Sequence, residues 1–144
     1  AALRHQIESA GVSTAVDFLP YVSEEELAEL YRQASFLLFP STYEGFGWPP
    51  LEAMACGCPV VCSPAGSLAE ITGDAALTAA PGDVVGLTGH GLKILQNPAE
   101  RQRLVAAGLR HVRQFSLETL SAGLTRAYQV AEEMFRQPTA RGQG

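Results

Sequence analysis

The chain has 144 residues, of which 47% are hydrophobic and 17% are charged. This composition excludes a disordered chain, and the length suits a single domain. No apolar run approaches the roughly 18 residues that span a membrane. The formal net charge is −5, and the negative charge lies in residues 1–99, which carry eleven acidic and only three basic side chains. Such an acidic region argues against nucleic acid or an anionic membrane surface as the main partner.

The first third of the chain contains two predicted strands and one helix. Residues 16–19 are a short strand candidate, and residues 36–39 are apolar throughout, which is typical of a strand buried on both faces of a parallel sheet. Between them a helix is predicted over about residues 24–34. Its start is indicated by Ser23 and Glu26, which form a capping box, and by acidic residues in its first turn.

The middle third continues the same alternation. A loop over residues 40–47 leads to a helix predicted from about Pro49 to Cys56, and residues 60–62 form the next buried strand. The sequence Ser-Leu-Ala-Glu at residues 67–70 indicates a second capping box, which opens a short helix. Residues 76–79 form a weaker strand.

Three helices are predicted in the last part of the chain: from Asp83 to about Gln96, from Asn97 to about Gln114, and after Ser116. The last one carries an apolar stripe, which we interpret either as core or as a docking surface for a domain outside this chain. The stripe comprises Leu117, Leu120, Leu124, Ala127, Tyr128 and Ala131. Residues 138–144 are predicted to be a flexible tail, because they have nothing to bury.

The alternation of strands and helices predicts an α/β fold with an open, doubly wound parallel sheet and a carboxyl-terminal helical segment. Such sheets bind ligands beyond the carboxyl ends of their strands. Only about four strands are predicted, so we expect the sheet to be incomplete at its amino-terminal side. The first residue is Ala rather than Met, and we therefore expect the chain to be part of a longer one.

The turn between residues 44 and 48 carries most of the chemical information. Gly45 and Gly47 permit positive φ and a close approach of backbone N–H groups to a ligand. The helix that follows directs the positive end of its dipole at the same place. This geometry suits an anion, although the same strand, turn and helix occur wherever a tight crossover is needed.

Two carboxylates, Glu44 and Glu52, flank this turn with seven residues between them. A carboxylate accepts hydrogen bonds from two vicinal hydroxyls, which is how ribose and hexose rings are commonly held. One carboxylate on each side of an anion-binding turn therefore suits a nucleotide-sugar, in which a diphosphate joins a ribose to a hexose. The simpler interpretation is that Glu52 pairs locally and Glu44 is solvated, and for two isolated glutamates that interpretation is favoured.

Residues 40–61, PSTYEGFGWPPLEAMACGCPVV, resemble the Glu-x7-Glu signature of the family 4 retaining glycosyltransferases of the GT-B fold. Residues 16–34, 66–76 and 115–137 resemble the family's segments before and after the signature, including the last helix, which packs back towards the other domain. The resemblance implies two Rossmann-like halves, of which the carboxyl-terminal one binds the nucleotide-sugar donor. Residues 1–137 then form the later part of that half.

The resemblance also implies roles for individual residues. Glu44 would contact the donor sugar near the reacting carbon, acting by position and charge, and Glu52 would hold the ribose. The region around Val22 would lie against the base. The sugar and diphosphate would be faced by the turn residues Gly45, Phe46, Gly47 and Trp48. Two positions depart from the family pattern. Pro20 stands where a Gly is usual, beside the expected base contact. Trp48 stands where a smaller aliphatic residue is usual, and its added bulk is expected to affect which sugar fits.

The implied activity is the transfer of a hexose, mannose or glucose, from a GDP- or UDP-linked donor to a saccharide or lipid-linked acceptor in polysaccharide biosynthesis. No metal and no cofactor are expected. We expect the protein to be cytoplasmic, with peripheral contact at the inner face of the membrane through the missing amino-terminal domain, and this fragment alone to be inactive. The family's phosphate-binding cations lie upstream, and Arg4, Arg32 and Lys93 match none of them, so we expect this chain alone to bind nucleotide-sugars weakly.

Other interpretations are less favoured by the residues. The cysteines Cys56, Cys58 and Cys62 lack a fourth ligand, so three buried thiols are expected rather than a metal site. Lys93, the only lysine, falls in the middle of a helix, which argues against a pyridoxal-phosphate enzyme. A hydrolase is disfavoured because the two carboxylates flank a turn rather than a cleft. A non-catalytic flavodoxin-like nucleotide-binding or interaction module, and a scaffold with a degenerate site, stay open.

Overall fold

A computed structural model describes residues 2–136 of the chain. The described part contains seven α-helices, three short 3-10 turns and three β-strands. In chain order the helices and strands are α1 (Ala2–Ser9), α2 (Glu24–Gln33), β1 (Leu37–Phe39), α3 (Trp48–Ala55), β2 (Val60–Cys62), α4 (Leu68–Thr72), β3 (Ala76–Thr78), α5 (Val84–Gln96), α6 (Pro98–His111) and α7 (Leu117–Arg136). The 3-10 turns are Ser13–Ala15, Gly73–Ala75 and Val112–Phe115. The predicted tail at 138–144 lies outside the described residues.

The three strands form one parallel sheet in the order β1-β2-β3. Leu37 pairs with Val60, and Val60 pairs with Ala76, so neighbouring strands run in register. Each pair of strands is joined through a helix, α3 or α4, as parallel pairing requires. The parallel sheet confirms the predicted α/β fold.

One predicted strand does not form in the described structure. Residues 16–23 have no regular secondary structure, and the sheet has three strands rather than about four. A short extended segment becomes a strand only when an adjacent strand pairs with its backbone N–H and C=O groups. None of β1, β2 and β3 pairs with residues 16–19. The prediction of a strand at residues 16–19 is therefore wrong for this chain.

The core lies on both faces of β2. Val60 and Cys62 pack into one cluster with Met54 of α3, whereas Val61 packs into a second cluster with Ile94 of α5 and Leu104 of α6. This split follows from the alternation of side chains along a strand. Every residue of β2 is buried, as predicted. In β1, which lies at the sheet edge, Leu38 is 48% exposed, so the expectation of burial on both faces is wrong there.

Helix starts follow the predicted capping residues in all but one case. Ser23 Oγ accepts the N–H of Glu26, and the Glu26 carboxylate accepts the N–H of Ser23, which confirms the first capping box. Asp83 and Asn97 cap α5 and α6. The second box is wrong, because Ser67 already has helical backbone angles and its hydroxyl donates to carbonyls of another loop.

Helix α7 differs from the other long helices because none of its 20 residues is buried. It begins after the 3-10 turn Val112–Phe115 and contacts that turn. Leu117, Leu120 and Tyr128 of its apolar stripe are all more than half exposed. The interpretation of the stripe as core is therefore wrong for the described structure, and its interpretation as a docking surface stays a prediction. None of the helices within residues 2–136 combines the length and hydropathy needed to cross a bilayer.

Candidate functional site

The loop over residues 40–47 leaves the carboxyl end of β1 and enters α3 through Gly47. Gly47 has φ 104°, and a Cβ at this position would lie 2.6 Å from Cδ2 of the buried Leu68. The backbone angle therefore favours glycine, and any larger residue would also have to displace the Leu68 side chain. Gly45 has no positive φ and open space around it, so of the two glycines only Gly47 uses the conformational freedom that both permit.

The amino end of α3 offers fewer N–H donors than an ordinary helix. The helix begins at Trp48, one residue earlier than predicted, and its second and third residues are Pro49 and Pro50, which have no N–H group. No side chain caps the helix. Within the described residues, the N–H groups of Phe46, Gly47 and Trp48 donate no hydrogen bond to the protein. These three groups are therefore free to donate to water or to a ligand, at the end where the helix dipole is positive.

The backbone of this loop is held by the segment that follows β2. The Ser67 hydroxyl lies 2.7 Å from the carbonyl oxygen of Phe46 and 3.2 Å from that of Glu44, so its proton is shared between them. Gly66 has φ +59°, and a Cβ there would lie 2.5 Å from the Glu44 carbonyl oxygen. The backbones of the two loops are therefore in contact. This contact holds the main chain of Glu44, whose side chain is half-buried.

Glu52 lies on α3 and faces α2 across a cleft of about 360 Å³. Its Oε2 accepts a long hydrogen bond, 3.4 Å, from the hydroxyl of Tyr31 on α2. Burial of Tyr31, followed by the negative charge of Glu52, raises the pKa of the tyrosine to about 12, so its hydroxyl remains a donor at neutral pH. The other lining residues are Glu24, Leu27, Ala28, Ala55 and Cys56.

The predicted site residues are not all brought together. Glu44 and the turn residues gather at the amino end of α3, and Glu52 follows one turn later on the same helix. Val22 instead lines a groove on another face of α2, together with Leu30 and Gln33. The role of Val22 at the base therefore stays a prediction, with no support from this arrangement.

Trp48 stands on the surface beside the loop and is 62% exposed. The ring centroids of Trp48 and Phe46 lie 4.7 Å apart. The rings of Phe46 and Phe115 are perpendicular, with their centroids 6.5 Å apart, in a T-shaped contact. These aromatic contacts connect the loop to the 3-10 turn that precedes α7. The bulk of Trp48 therefore packs against Phe46 on one side and faces solvent on the other.

The basic residues of the acidic region are engaged elsewhere. Arg4 lies over the ring of Phe18 at 4.1 Å, Arg32 pairs with Glu29, and Lys93 pairs with Glu100. In the described part of the chain, none of these three side chains pairs with the loop around Glu44.

The cysteines divide into two kinds. Cys58 and Cys62 are buried, and burial raises the pKa of each thiol, as expected for structural cysteines. Cys56 is only half-buried and lines the cleft beside Glu52, so the prediction of three buried thiols is wrong for Cys56.

Sequence reasoning missed two residues of this site, Ser67 and Tyr31. The sequence predicts a helix cap at Ser67, and it places Tyr31 within the helix over residues 24–34 with no role in the site. The signal for Ser67 is its position after β2, because adjacent parallel strands deliver their following loops to the same edge of the sheet. Tyr31 has no comparable local signal, since its partner is 21 residues away in the chain.

Comparisons with known proteins show which family this chain resembles in sequence. A family model described as glycosyl transferases group 1 matches residues 1–111. The O-antigen chain mannosyltransferase B of Escherichia coli is 45% identical over 115 residues, which cover 80% of this chain and 30% of that protein. The MMP alpha-(1->4)-mannosyltransferase of Mycolicibacterium hassiacum is 39% identical over 129 residues, covering 87% and 31%. A glycogen synthase of Mycobacterium tuberculosis is 36% identical over 133 residues, covering 90% and 32%.

Two solved structures share the fold. The sucrose-phosphate synthase of Thermosynechococcus elongatus matches with a TM-score of 0.80 and 28% identity, over 92% of this chain and 34% of that one. The carboxyl-terminal domain of a group 1 glycosyl transferase from Francisella tularensis matches with a TM-score of 0.70 and 25% identity, over 78% and 60%.

The fold thus matches the Rossmann-like domains of glycosyltransferases. The chain belongs to the glycosyl transferases group 1 family, which confirms the family resemblance. It spans about a third of the length of the curated relatives that it matches. The roles of Glu44 and Glu52 in the Glu-x7-Glu pattern stay predictions.

Proposed function

We propose that this chain is the donor-binding part of a retaining glycosyltransferase. The enzyme transfers a hexose, mannose or glucose, from a nucleotide-diphospho-sugar to a saccharide or lipid-linked acceptor. One observation carries the proposal: Glu44 and Glu52 flank a turn whose three N–H groups have no partner in the described protein, at the amino end of α3. The names of the relatives, two mannosyltransferases and a glycogen synthase, support a hexose as the transferred group.

The proposed donor lies across the turn in three parts. Glu52 accepts hydrogen bonds from the ribose hydroxyls. The N–H groups of residues 46–48 and the α3 dipole receive oxygens of the diphosphate. Glu44 accepts from hydroxyls of the hexose. The partial charges at this site cannot balance a diphosphate, so full cations are supplied by residues outside this chain.

In the proposed reaction the acceptor hydroxyl oxygen attacks the anomeric carbon on the face from which the diphosphate leaves. The bond from that carbon to the phosphate oxygen breaks, and the hydroxyl proton passes to the departing diphosphate. Configuration is retained without a protein nucleophile. The carboxylate of Glu44 stabilises positive charge that develops on the sugar ring. No metal and no cofactor take part in this scheme.

The same proposal includes the context of the reaction. The acceptor is bound by an amino-terminal domain outside this chain, and the apolar stripe of α7 docks against it. Residues 1–137 form part of the donor domain, and without the other domain the fragment is inactive. The intact enzyme works in the cytoplasm at the inner face of the membrane.

Titration calorimetry on the intact protein with GDP-, UDP- and ADP-linked sugars tests the donor site. We expect one of them to bind and Glu52→Ala to weaken that binding at least tenfold, because hydrogen bonds to a carboxylate contribute about 1.5–3 kcal/mol. Glu25→Ala is the matched control, since Glu25 is exposed on α2 and lines neither the cleft nor the Val22 groove. If no nucleotide-sugar binds, or Glu52→Ala binds like the wild type, the proposal is wrong.

Turnover measurements test the role of Glu44 separately. Glu44→Ala is expected to lower turnover far more than it lowers nucleotide affinity, because Glu44 meets the reacting sugar rather than the nucleotide. Unchanged turnover would contradict this role. An intact protein that binds nucleotide but transfers no hexose would instead support the non-catalytic, flavodoxin-like alternative.

A further inference from the structure

Tyr31 is the one residue of the first core cluster that carries a side-chain hydroxyl within the described residues. It belongs to the same core cluster as Ala53 and Met54, and the residue is only 9% exposed. The hydroxyl emerges at the cleft between α2 and α3, which Tyr31 and Glu52 line together. A rigid, buried ring thus presents one polar atom to a carboxylate proposed to bind the ribose.

In the hydrogen bond between these two side chains, Tyr31 is the donor and Glu52 the acceptor. Tyr31 donates to Oε2 of Glu52 at 3.4 Å, and this is the hydroxyl's one partner among the described residues. Oε1 of Glu52 makes no protein hydrogen bond in the same part of the chain, and the side chain of Glu52 is exposed. One carboxylate oxygen is therefore tied to the core, and the other is open to a ligand.

The hydrogen bond from Tyr31 matters because it restricts the side-chain torsions of Glu52 before a ligand binds. An exposed Glu side chain has three rotatable torsions and loses that freedom when it binds a ligand. A donor that already fixes one oxygen reduces this loss, because the carboxylate is held before the ligand arrives. The 3.4 Å distance is long, but hydrogen bonds of functional sites are often long in the free protein and shorten in the complex.

We propose that Tyr31 is a positioning residue, whose hydroxyl holds the carboxylate of Glu52 in the orientation that accepts hydrogen bonds from the ribose hydroxyls of the donor. This inference rests on the proposed function of Glu52. It assigns Tyr31 no contact with the donor. Its effect is confined to ligands that carry ribose hydroxyls.

Calorimetry on the intact protein tests the proposal with two ligands: the nucleoside diphosphate that binds best among GDP, UDP and ADP, and its 2′,3′-dideoxy analogue. Tyr31→Phe keeps the packed ring and removes only the hydroxyl. We expect it to weaken the ribonucleotide about three- to tenfold, the range for one hydrogen bond, and to leave the dideoxy analogue unchanged. In the background of Glu52→Ala, Tyr31→Phe should have no further effect on either ligand.

Tyr128→Phe is the matched control, since Tyr128 is exposed on α7, and it should change neither affinity. An equal loss for both ligands would show that the hydroxyl supports the fold alone, and an unchanged ribonucleotide affinity would show that it does nothing for Glu52. Either outcome overturns the proposal. A wild type that does not distinguish the two ligands overturns the ribose role of Glu52 itself, so the two failures are distinguishable.

Discussion

The middle of the chain and its last helix are rich in the same apolar residue types but are held in different ways. Around β2, side chains such as Met54, Val61 and Ile94 are at most 1% exposed. Along the 20 residues of α7 no side chain is buried. An apolar stripe on an isolated helix gains little, since most helical stability in proteins comes from packing of such a face. The fold and the candidate site therefore depend on the middle, while α7 presents a surface.

This difference gives the site its rigidity. Both carboxylates are attached to elements that the core fixes: Glu52 to α3, whose Met54 is buried, and Glu44 to a loop that Ser67 holds. Near the end of the described chain, Phe115 of the 3-10 turn before α7 contacts the ring of Phe46 in the site loop. Changes in the middle should therefore alter both stability and the site, whereas changes on α7 should alter neither in this chain.

The two methionines test the comparison most strongly. Met54 is 1% exposed in the core, and Met134 is 71% exposed on α7. Met54→Ala is expected to lower the free energy of unfolding by about 2–5 kcal/mol, because it leaves a cavity. Met134→Ala should change it by less than about 0.5 kcal/mol. Urea unfolding followed by circular dichroism measures both, and equal losses would mean that α7 is packed like the core.

Substitutions at two glycines distinguish the cost of backbone strain from the cost of a clash between loops. Gly66 and Gly82 both have positive φ, but only at Gly66 would a Cβ meet another backbone, at 2.5 Å from the Glu44 carbonyl oxygen. Gly82→Ala should cost about 1–2 kcal/mol from the left-handed conformation alone. Gly66→Ala should cost at least about 1 kcal/mol more and displace the Glu44 loop. Thermal unfolding of the two variants measures the difference, and equal costs would show that the loops are not in contact.

Two serines near the carboxyl end of β2 test how the loop is held. Ser67→Ala removes the hydroxyl that Glu44 and Phe46 share and should cost about 1 kcal/mol of unfolding free energy. In the intact protein it should lower kcat more than it changes the KM for the donor. Ser67→Thr retains the hydroxyl and should recover most of the loss.

Ser63→Ala is the matched control for that measurement. Ser63 is buried and its Oγ has no hydrogen-bond partner in the described residues, so its removal should be neutral or stabilising. A loss of turnover in Ser63→Ala equal to that in Ser67→Ala would contradict the special role of Ser67.

The comparison also explains which features the sequence could predict. Apolar runs, caps and glycine positions determine local structure, and they located β1, β2, β3 and most of the helices. Periodicity identifies which face of a helix is apolar but not whether anything covers it, and for this reason α7 was assigned to the core as one of two interpretations. Residues 16–19 failed as a strand for the same reason, since pairing depends on a neighbour. The hydrogen-bond partners of Ser67 and Tyr31 lie 21 or more residues away in the sequence, so no local sequence pattern predicts these contacts.

The smallest effect is expected at the junction of α5 and α6, where the half-exposed side chains of Lys93 and Arg103 both pair with Glu100. The side chains of Arg103 and then Lys93 donate to the Glu100 carboxylate and lower its pKa to about 2 from an ordinary value of 4.5. Because the pKa is lower in the folded state, the stabilisation is present above about pH 4.5 and is lost as the pH falls towards 2. Glu100→Gln should therefore be less stable than the wild type at pH 7, with the difference shrinking between these pH values. Urea unfolding at pH 7, 4.5 and 2.5 measures it, and a difference independent of pH would mean that these ion pairs on the edge of the core contribute nothing.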